Sequence, residues 1–145
     1  MMKHTFLALG ALAVTMAGGL STAQAGGSSV SIEQFGVGNG VGGGQSGYAN
    51  RLTVLQGGRY NSAISNQAGA RNLAVIGQMG RRNSANTAQR GSGNITGVAQ
   101  FGSGHTVVTS QDGHGNAVGV IQAGRNNHAN TRQVGAGNVS VIVQD

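Results

Sequence analysis

The sequence predicts an all-β protein: a cross-β β-solenoid of about five and a half 22-residue coils, with two strands per coil and Gln/Asn ladders. This prediction depends on an 11-residue repeat, on period-two alternation within it, and on the composition. The chain has 28 Gly, no Pro and only 3% aromatic residues. Pro is excluded from interior strands because it cannot donate to a ladder. The composition alone would also fit disorder, but the regular order of the residues favours a repeat structure.

Residues 1–25 have the organisation of a secretory signal peptide. Lys3 and His4 precede an apolar run from Phe6 to Ala17, and an A-x-A cleavage motif follows at 23–25. The run is too short and too interrupted by Gly to span a bilayer core of about 30 Å. We therefore expect residues 1–25 to be removed and residues 26–145 to form one repeat domain. The sequence contains no Cys, so no disulfide is expected in this exported chain.

Three residue types return in the same order with an 11-residue period, without an insertion or deletion. The Gln residues are Gln34, Gln45, Gln56, Gln67, Gln78, Gln89, Gln100, Gln111, Gln122, Gln133 and Gln144. Gly follows two places later at Gly36, Gly47, Gly58, Gly69, Gly80, Gly91, Gly102, Gly113, Gly124 and Gly135. Asn follows three places after Gly at Asn39, Asn50, Asn61, Asn72, Asn83, Asn94, Asn116, Asn127 and Asn138, and His105 is the one break. Such a period indicates stacked repeats.

Each unit is predicted to be one strand followed by a tight turn. The segment NRLTVLQ at residues 50–56 alternates with period two, which is typical of a strand. The four residues between Gln and the next Asn include the fixed Gly, which supplies turn conformations that other residues avoid. An 11-residue period also fits a right-handed helical coiled coil. The repeated Gly and the Val, Ile and Thr between the turns favour strands instead.

Side-chain parity predicts which residues face inward. Asn, Gln and the two alternate positions between them share one side of each strand, and Val30 and Ile32 extend this frame to the first strand. The second middle position alternates between branched aliphatics and Ser or Thr, so the structural unit is a 22-residue coil. The coils are expected at about 28–49, 50–71, 72–93, 94–115 and 116–137, with a half coil at 138–145. Stacking at about 4.8 Å would let each amide donate to one neighbour and accept from the other.

The two outward faces are expected to differ. One carries aliphatic residues such as Leu73, Val75, Ile95 and Ile121, which suggests lateral association of filaments. The other carries mainly polar residues. The repeats continue to both ends without a recognisable cap, and the last strand, 139–144, is β-prone and uncharged. We therefore expect terminal coils to pair with those of other copies of the chain.

The unit Gln78-Met-Gly80-Arg-Arg-Asn83-Ser-Ala-Asn-Thr-Ala-Gln89 resembles the curlin repeat of curli fibre subunits. The resemblance extends over nearly all of residues 26–145. It implies a secreted subunit of a Gram-negative bacterium that self-assembles into extracellular functional amyloid for adhesion and biofilm matrix. The implied partners are other copies of the chain, a companion curli subunit and the outer-membrane curli secretion machinery. The chain departs from the family in having Asn where alternate strands often begin with Ser, and in having almost no leader before its first repeat.

Two other functions stay open beside the fibre-forming subunit. One is a minor, nucleating curli subunit that templates fibre growth at the cell surface. The other is a soluble, monomeric β-solenoid binding module, although parity points Thr87, Thr109 and Thr131 inward rather than into an outer binding row. No enzyme, cofactor or small-molecule substrate is expected, because three scattered acidic residues and no Cys supply no catalytic group. The three His between 105 and 128 occupy different repeat positions, so no metal site is expected.

The charge suggests one further partner. Residues 26–145 hold eight Arg against three acidic residues, a net charge of +5. Arg59, Arg81 and Arg125 occupy the same turn position at multiples of the 22-residue repeat, and Arg82 is adjacent. We expect these side chains to line one edge of the solenoid. Such an edge would bind anions, with extracellular DNA or an acidic polysaccharide as candidate ligands, or else simply favour solubility.

Overall fold

A computed structural model describes residues 26–145, so the predicted signal peptide lies outside the described residues. Eleven strands follow one another in the described part of the chain. They are β1 (Ser29–Val37), β2 (Gly40–Tyr48), β3 (Arg51–Arg59), β4 (Ser62–Ala70), β5 (Leu73–Arg81), β6 (Ser84–Ser92), β7 (Ile95–Ser103), β8 (Thr106–His114), β9 (Ala117–Arg125), β10 (His128–Ala136) and β11 (Val139–Gln144). Within residues 26–145, no helix is long and apolar enough to cross a membrane.

The strands form two parallel sheets, and every strand pairs with the strand two places along the chain. The odd-numbered strands make a six-stranded sheet and the even-numbered strands make a five-stranded sheet. The register follows the 22-residue repeat throughout, so that Gln56 pairs with Gln78 and Gly58 pairs with Gly80. One coil therefore consists of two strands and two turns. This arrangement confirms the β-solenoid, the 22-residue repeat and the two strands per coil.

The inner face between the two sheets holds the residues that parity assigned to it. Apolar side chains such as Val54, Ile76 and Val120 are buried together with the Gln and Asn of the interior coils. The first coil follows the same register, with Ile32 paired to Val54. Val30 and Ile32 therefore have the register expected of inward residues. However, they are 55% and 40% exposed, so they are not buried. The facing strand β2 has Gly43 at its inward middle position, and no coil in the described chain covers this side.

The turns differ from the sequence prediction in extent and in composition. Each full strand continues past Gln and through the fixed Gly, so that β5 ends at Arg81 rather than at Gln78. The corner has two residues with positive φ. One is the fixed Gly, for example Gly80 at 120°, and the other directly precedes Asn, for example Arg82 at 55°. Because Gly, Ala, Tyr, Arg and Asn all occur at the second site, the sequence did not reveal it.

The fixed Gly is required by close stacking as well as by its φ angle. A Cβ added at Gly80 would lie 1.9 Å from the carbonyl oxygen of Gly102 in the next coil. The same conflict, at 1.8 to 2.1 Å, occurs at the fixed Gly of every strand on which a further complete coil stacks. At Gly124 and Gly135 the nearest atoms lie 3.8 Å away, because no such coil follows in the described chain. This difference shows that β10, and the end of β9 beyond the residues paired with β11, are not covered by another coil among the described residues.

Candidate functional site: the stacked amide ladders

The Gln side chains form two continuous ladders along the solenoid axis, one in each sheet. Gln56 Nε2 donates to Gln78 Oε1 at 2.7 Å, and Gln78 Nε2 donates to Gln100 Oε1 at 2.8 Å. The same bond joins each Gln to the residue 22 places later, up to Gln122 and Gln144. Interior Gln side chains are almost fully buried, so each amide must find its partners within the protein. The predicted Gln ladder is confirmed, and its direction is the same in both sheets.

Each Gln amide from Gln45 to Gln144 also makes a second bond that sequence reasoning missed. Gln78 Nε2 donates to the carbonyl oxygen of Ser62 at 2.9 Å, and Gln100 Nε2 donates to that of Ser84 at 3.0 Å. The acceptor belongs to the first residue of a strand in the opposite sheet. The amide group therefore uses both of its N–H donors, one along the axis and one across the coil. This second bond fixes the spacing of the two sheets at each coil corner.

The Asn residues form a different ladder from the one expected. Asn50 Oδ1 accepts from the backbone N–H of Asn72 at 3.0 Å, and this side chain to backbone bond recurs along both edges. Asn50 Nδ2 donates to the carbonyl oxygens of Ser46 and Gly69. Among the described residues, bonds from one Asn side-chain amide to another occur only in the pairs Asn50–Asn72, Asn94–Asn116 and Asn116–Asn138. Because the Asn side chain is short and lies at the corner, it reaches the backbone of the turn more readily than another amide.

His105 occupies an Asn position and reproduces the bonds of Asn with its ring. Asn127 N–H donates to His105 Nδ1 at 3.2 Å, and His105 Nε2 lies 3.1 Å from the carbonyl oxygen of Phe101. The ring is fully buried. These two contacts fit a neutral imidazole whose proton is on Nε2, since Nδ1 must accept. The break in the Asn series is therefore a replacement within the ladder. Within residues 26–145, no three His, Asp or Glu side chains converge as a metal site would require.

The inner column of Ser and Thr is only partly hydrogen-bonded. In this column of the even-numbered sheet, Thr87 Oγ1 donates to Ser65 Oγ at 2.9 Å. Thr96 lies outside the column, in β7 of the opposite sheet, and its Oγ1 donates to Gln111 Oε1 at 2.8 Å. In the described structure, the buried hydroxyls of Thr109 and Thr131 have no partner. A buried hydroxyl without a partner costs stability. The inward direction of Thr87, Thr109 and Thr131 agrees with the parity prediction and leaves no Thr row on the outer surface of the solenoid formed by residues 26–145.

The predicted basic edge is present as a geometric row. Arg59 pairs in register with Arg81, and Ser103 pairs with Arg125. Arg82 is the corner residue beside Arg81. These residues lie where the odd-numbered strands end, at one edge of the solenoid. Adjacent coils are about 4.8 Å apart, so Arg59 and Arg81 are closely spaced and exposed, whereas Ser103 separates Arg81 from Arg125 by one coil.

The fold and these ladders define a class of protein: a parallel β-solenoid whose coils are joined by buried polar side chains. The family model described as the curlin associated repeat matches residues 80–113. The resemblance to curlin repeats is thereby confirmed over this segment, which contains the His105 position. The same spacing of Gln continues on both sides of the match, from Gln34 to Gln144. No curated protein matches the chain.

Proposed function

We propose that the chain is a secreted structural subunit that self-assembles into extracellular, curli-like amyloid fibres for adhesion and biofilm matrix. The curlin associated repeat at residues 80–113 supports this class of function. The observation that carries the proposal is the direction of the Gln ladders. An assembly built by extending these ladders needs no contact that the solenoid does not already make between its own coils.

The ladder direction makes the two ends of the solenoid complementary. Each Gln donates toward the carboxyl terminus, as in the bond from Gln34 to Gln56. Among the described residues, Gln34 and Gln45 therefore offer Oε1 acceptors to a preceding coil, and Gln133 and Gln144 offer N–H donors to a following one. Two different, complementary surfaces join head to tail, and such contacts generate open filaments unless a rotation closes them into a ring.

The backbone presents the same complementarity. In residues 26–145, β10 and β11 each pair with another strand on one side only, as do β1 and β2 at the other end. Unpaired parallel strand edges are templates for pairing with another chain. Docking one copy on the next would satisfy these edges with the 22-residue register continued across the junction. The product would be a cross-β filament whose strand spacing is about 4.8 Å.

The first experiment tests assembly itself. Residues 26–145, which contain the whole described solenoid, would be diluted from denaturant and followed by thioflavin fluorescence and fibre diffraction. We expect filaments with a reflection at about 4.8 Å along the fibre axis. Growth after a lag that seeds abolish would support a fibre-forming subunit. Growth without a lag, with templating of a companion subunit, would favour the nucleator. A folded protein that stays monomeric at high concentration would overturn the fibre proposal and favour a binding module.

A variant of one glycine tests the proposed junction. Gly135→Ala adds a Cβ that meets only Asn138 at 3.8 Å within the chain. By analogy with the conflict at Gly113, the same Cβ would collide with a carbonyl oxygen of a coil stacked above it. We expect Gly135→Ala to stop growth and to terminate wild-type filaments when added at a low ratio. Gly137→Ala is the control for an alanine in the same turn that meets no atom within 4 Å. Because φ is 107° at Gly135 and 68° at Gly137, refolding of both variants is compared first, to separate backbone strain from the blocked junction. Equal growth of the two variants would contradict the junction.

A second proposed activity concerns the basic edge. We propose that Arg59, Arg81, Arg82 and Arg125 bind polyanions such as extracellular DNA or acidic polysaccharide. The direct register of Arg59 with Arg81 supports this, because two stacked guanidinium groups on adjacent coils can contact successive phosphate or carboxylate groups of a polymer. Replacing Arg59 and Arg81 by Gln should weaken binding to both polymers and flatten its salt dependence. Binding unchanged by this substitution would leave the edge with a role in solubility alone.

The remaining expected partners belong to the same proposal. Secretion through outer-membrane curli machinery and cooperation with a companion subunit are proposed because the curlin associated repeat supports a curli-like role. A strain that lacks the secretion pore should retain the chain inside the cell. Surface exposure of the chain in that strain would contradict the proposed route.

A further inference from the structure

The outer surface of the odd-numbered sheet is apolar and uncharged over most of its length, and its two charged side chains, Glu33 in β1 and Arg51 at the start of β3, lie at its amino-terminal end. We call the uncharged part of this surface the odd face; it consists of the outward side chains of β3, β5, β7, β9 and β11 between Thr53 and Val143, up to the fixed Gly of each strand. Its exposed apolar residues include Val75, Met79, Ile95, Phe101, Ile121 and Val141. No position of the odd face carries a charged side chain.

The charged residues are distributed over the other surfaces. The outward side of the even-numbered sheet carries Arg90, Asp112 and Arg132, and the edges carry the Arg row and Arg71. Glu33 and Arg51 lie at the amino-terminal end of the odd-numbered sheet, outside the odd face as defined. Because residues 26–145 have a net charge of +5, two solenoids repel each other in most orientations. Contact between two odd faces keeps the Arg residues apart and removes apolar surface from water. Charge and hydrophobicity therefore select the same surface for contact between copies.

The odd face also contains a groove that side chains of a second odd face can fill. A groove of about 320 Å³ crosses its centre and is lined by Val75, Gly97, Ala99, Gly119 and Ile121. The two glycines make the floor low, while the aliphatic side chains on either side form ridges. A branched side chain from a facing sheet fits such a groove. Facing sheets of this kind pack at about 10 Å with dry, interdigitated side chains.

From these observations we propose that the odd face is the lateral contact between filaments and that its occupant is the odd face of a second copy. The inference rests on the proposed fibre function and identifies the surface through which fibres pair. The area of the odd face predicts that filaments pair while single copies do not. Five strands about 4.8 Å apart, with seven residues each, present roughly 550 Å² per copy. Stable interfaces bury about 800 Å² per partner, so one copy falls short and a row of copies exceeds this area.

The number of strands determines how odd faces are distributed along a filament. The described solenoid has eleven strands, so a copy that continues the spiral would place its β1 on β10, in the line of the even-numbered sheet. Odd faces then alternate between the two sides of the filament. Every second copy contributes to one side, and each filament can contact a neighbour on both sides.

The test compares two double variants that add the same charge to opposite faces. Ile95→Lys/Ile121→Lys places two charges on the odd face. Ile64→Lys/Val134→Lys is the matched control, because Ile64 and Val134 are exposed aliphatic residues of the other sheet. Filament growth would be followed by thioflavin fluorescence, and filament width and pairing would be counted by electron microscopy of residues 26–145.

We expect wild-type and control filaments to be paired. The odd-face variant should elongate within about twofold of the wild-type rate, since outward charges lie outside the ladders. Its fraction of paired filaments should fall by about tenfold or more, because pairing would bury charges without partners. Pairing retained in the odd-face variant, or lost equally in both variants, would overturn the proposal. Single wild-type filaments would overturn this inference alone, whereas absence of filaments would overturn the fibre function with it.

A third variant covers the case in which the lysines prevent assembly. Gly97→Val fills the groove without adding charge, and its Cβ would meet only the carbonyl oxygen of Val118, at 4.0 Å. The φ of Gly97 is not in the positive range, so the change is compatible with the strand. We expect normal elongation and a several-fold loss of pairing. Pairing equal to that of the wild type would overturn the proposed contact.

Discussion

The first coil and the third coil of the solenoid have the same register and very different cores. In the third coil, β5 and β6 bury Ala74, Ile76 and Thr87 almost completely. In the first coil, Ile32 faces the inward position that Gly43 occupies in β2 and is 40% exposed. Both coils keep their Gln bonds to the next coil. The comparison shows that Gln, Gly and Asn determine the register, whereas the middle inward residues and a neighbour on each side determine the packing.

The largest expected difference in the free energy of unfolding is between alanine variants of two glycines, one at the fixed position of an interior coil and one at a variable position of the first coil. Gly80→Ala combines a φ of 120° with a contact of 1.9 Å to the backbone of the next coil. We expect it to lower the free energy of unfolding by more than about 4 kcal/mol. Gly42→Ala has open space and an ordinary φ, so it should be neutral or stabilise by up to about 1 kcal/mol. Guanidinium denaturation of freshly refolded protein would measure both, and similar losses would remove the distinction.

The next effect compares two isoleucines at the same inward position. Ile76→Ala should cost about 2–5 kcal/mol, because it leaves a cavity among fully buried neighbours. Ile32→Ala should cost less than about 1 kcal/mol, since this side chain is already partly in water. Denaturation midpoints of the two variants would be measured side by side. A cost for Ile32 equal to that for Ile76 would mean that the first coil is packed as tightly as the interior.

A smaller effect on stability is expected from buried Thr hydroxyls of the interior coils, which differ in whether they have a hydrogen-bond partner. Thr109→Val removes a buried hydroxyl without a partner and should stabilise the solenoid by about 1 kcal/mol. Thr87→Val removes a hydroxyl that donates to Ser65 and should destabilise it by about 1 kcal/mol. The two substitutions have the same shape change in the same column. Denaturation shifts of the same sign would contradict this assignment of satisfied and unsatisfied hydroxyls.

The smallest effect on stability is expected at position 105, where His replaces the Asn of the repeat. His105→Asn restores the usual residue and keeps one acceptor and one donor, so stability should change by about 0.5 kcal/mol or less. His105→Leu fills the same space but leaves Asn127 N–H without its acceptor, and should cost about 2 kcal/mol. Thermal or denaturant unfolding would separate the two variants. Equal stability of the Asn and Leu variants would show that the ring serves only to fill space.

Much of this fold could be predicted because the repeat is regular and strand parity is simple. The 11-residue spacing of Gln predicted the strands. The alternation of aliphatic residues with Ser or Thr at the second middle position predicted the 22-residue coil and its two sheets, and strand parity predicted the inward direction of Val54 and Ile76. The corner residue before Asn could not be predicted, because several residue types adopt its positive φ there. The bond across the coil from each Gln between Gln45 and Gln144 was also missed, because its acceptor is a backbone carbonyl that has no sequence signature. The exposure of Ile32 was missed because parity predicts the direction of a side chain and not its burial, and β1 has a neighbouring strand on one side only among the described residues.

The central claim is that each chain stacks on itself with a 22-residue period and that filaments continue this stacking from copy to copy. Met79 is the one methionine in residues 26–145, so a ¹³C carbonyl label on methionine marks a single site. In filaments of the labelled chain, the solenoid predicts that the next labelled carbonyl along the fibre lies roughly 25 Å away. Solid-state NMR should then show no dipolar coupling between labels of neighbouring copies at short range. A coupling corresponding to about 4.8 Å would mean that identical residues stack on one another, and would contradict the solenoid filament.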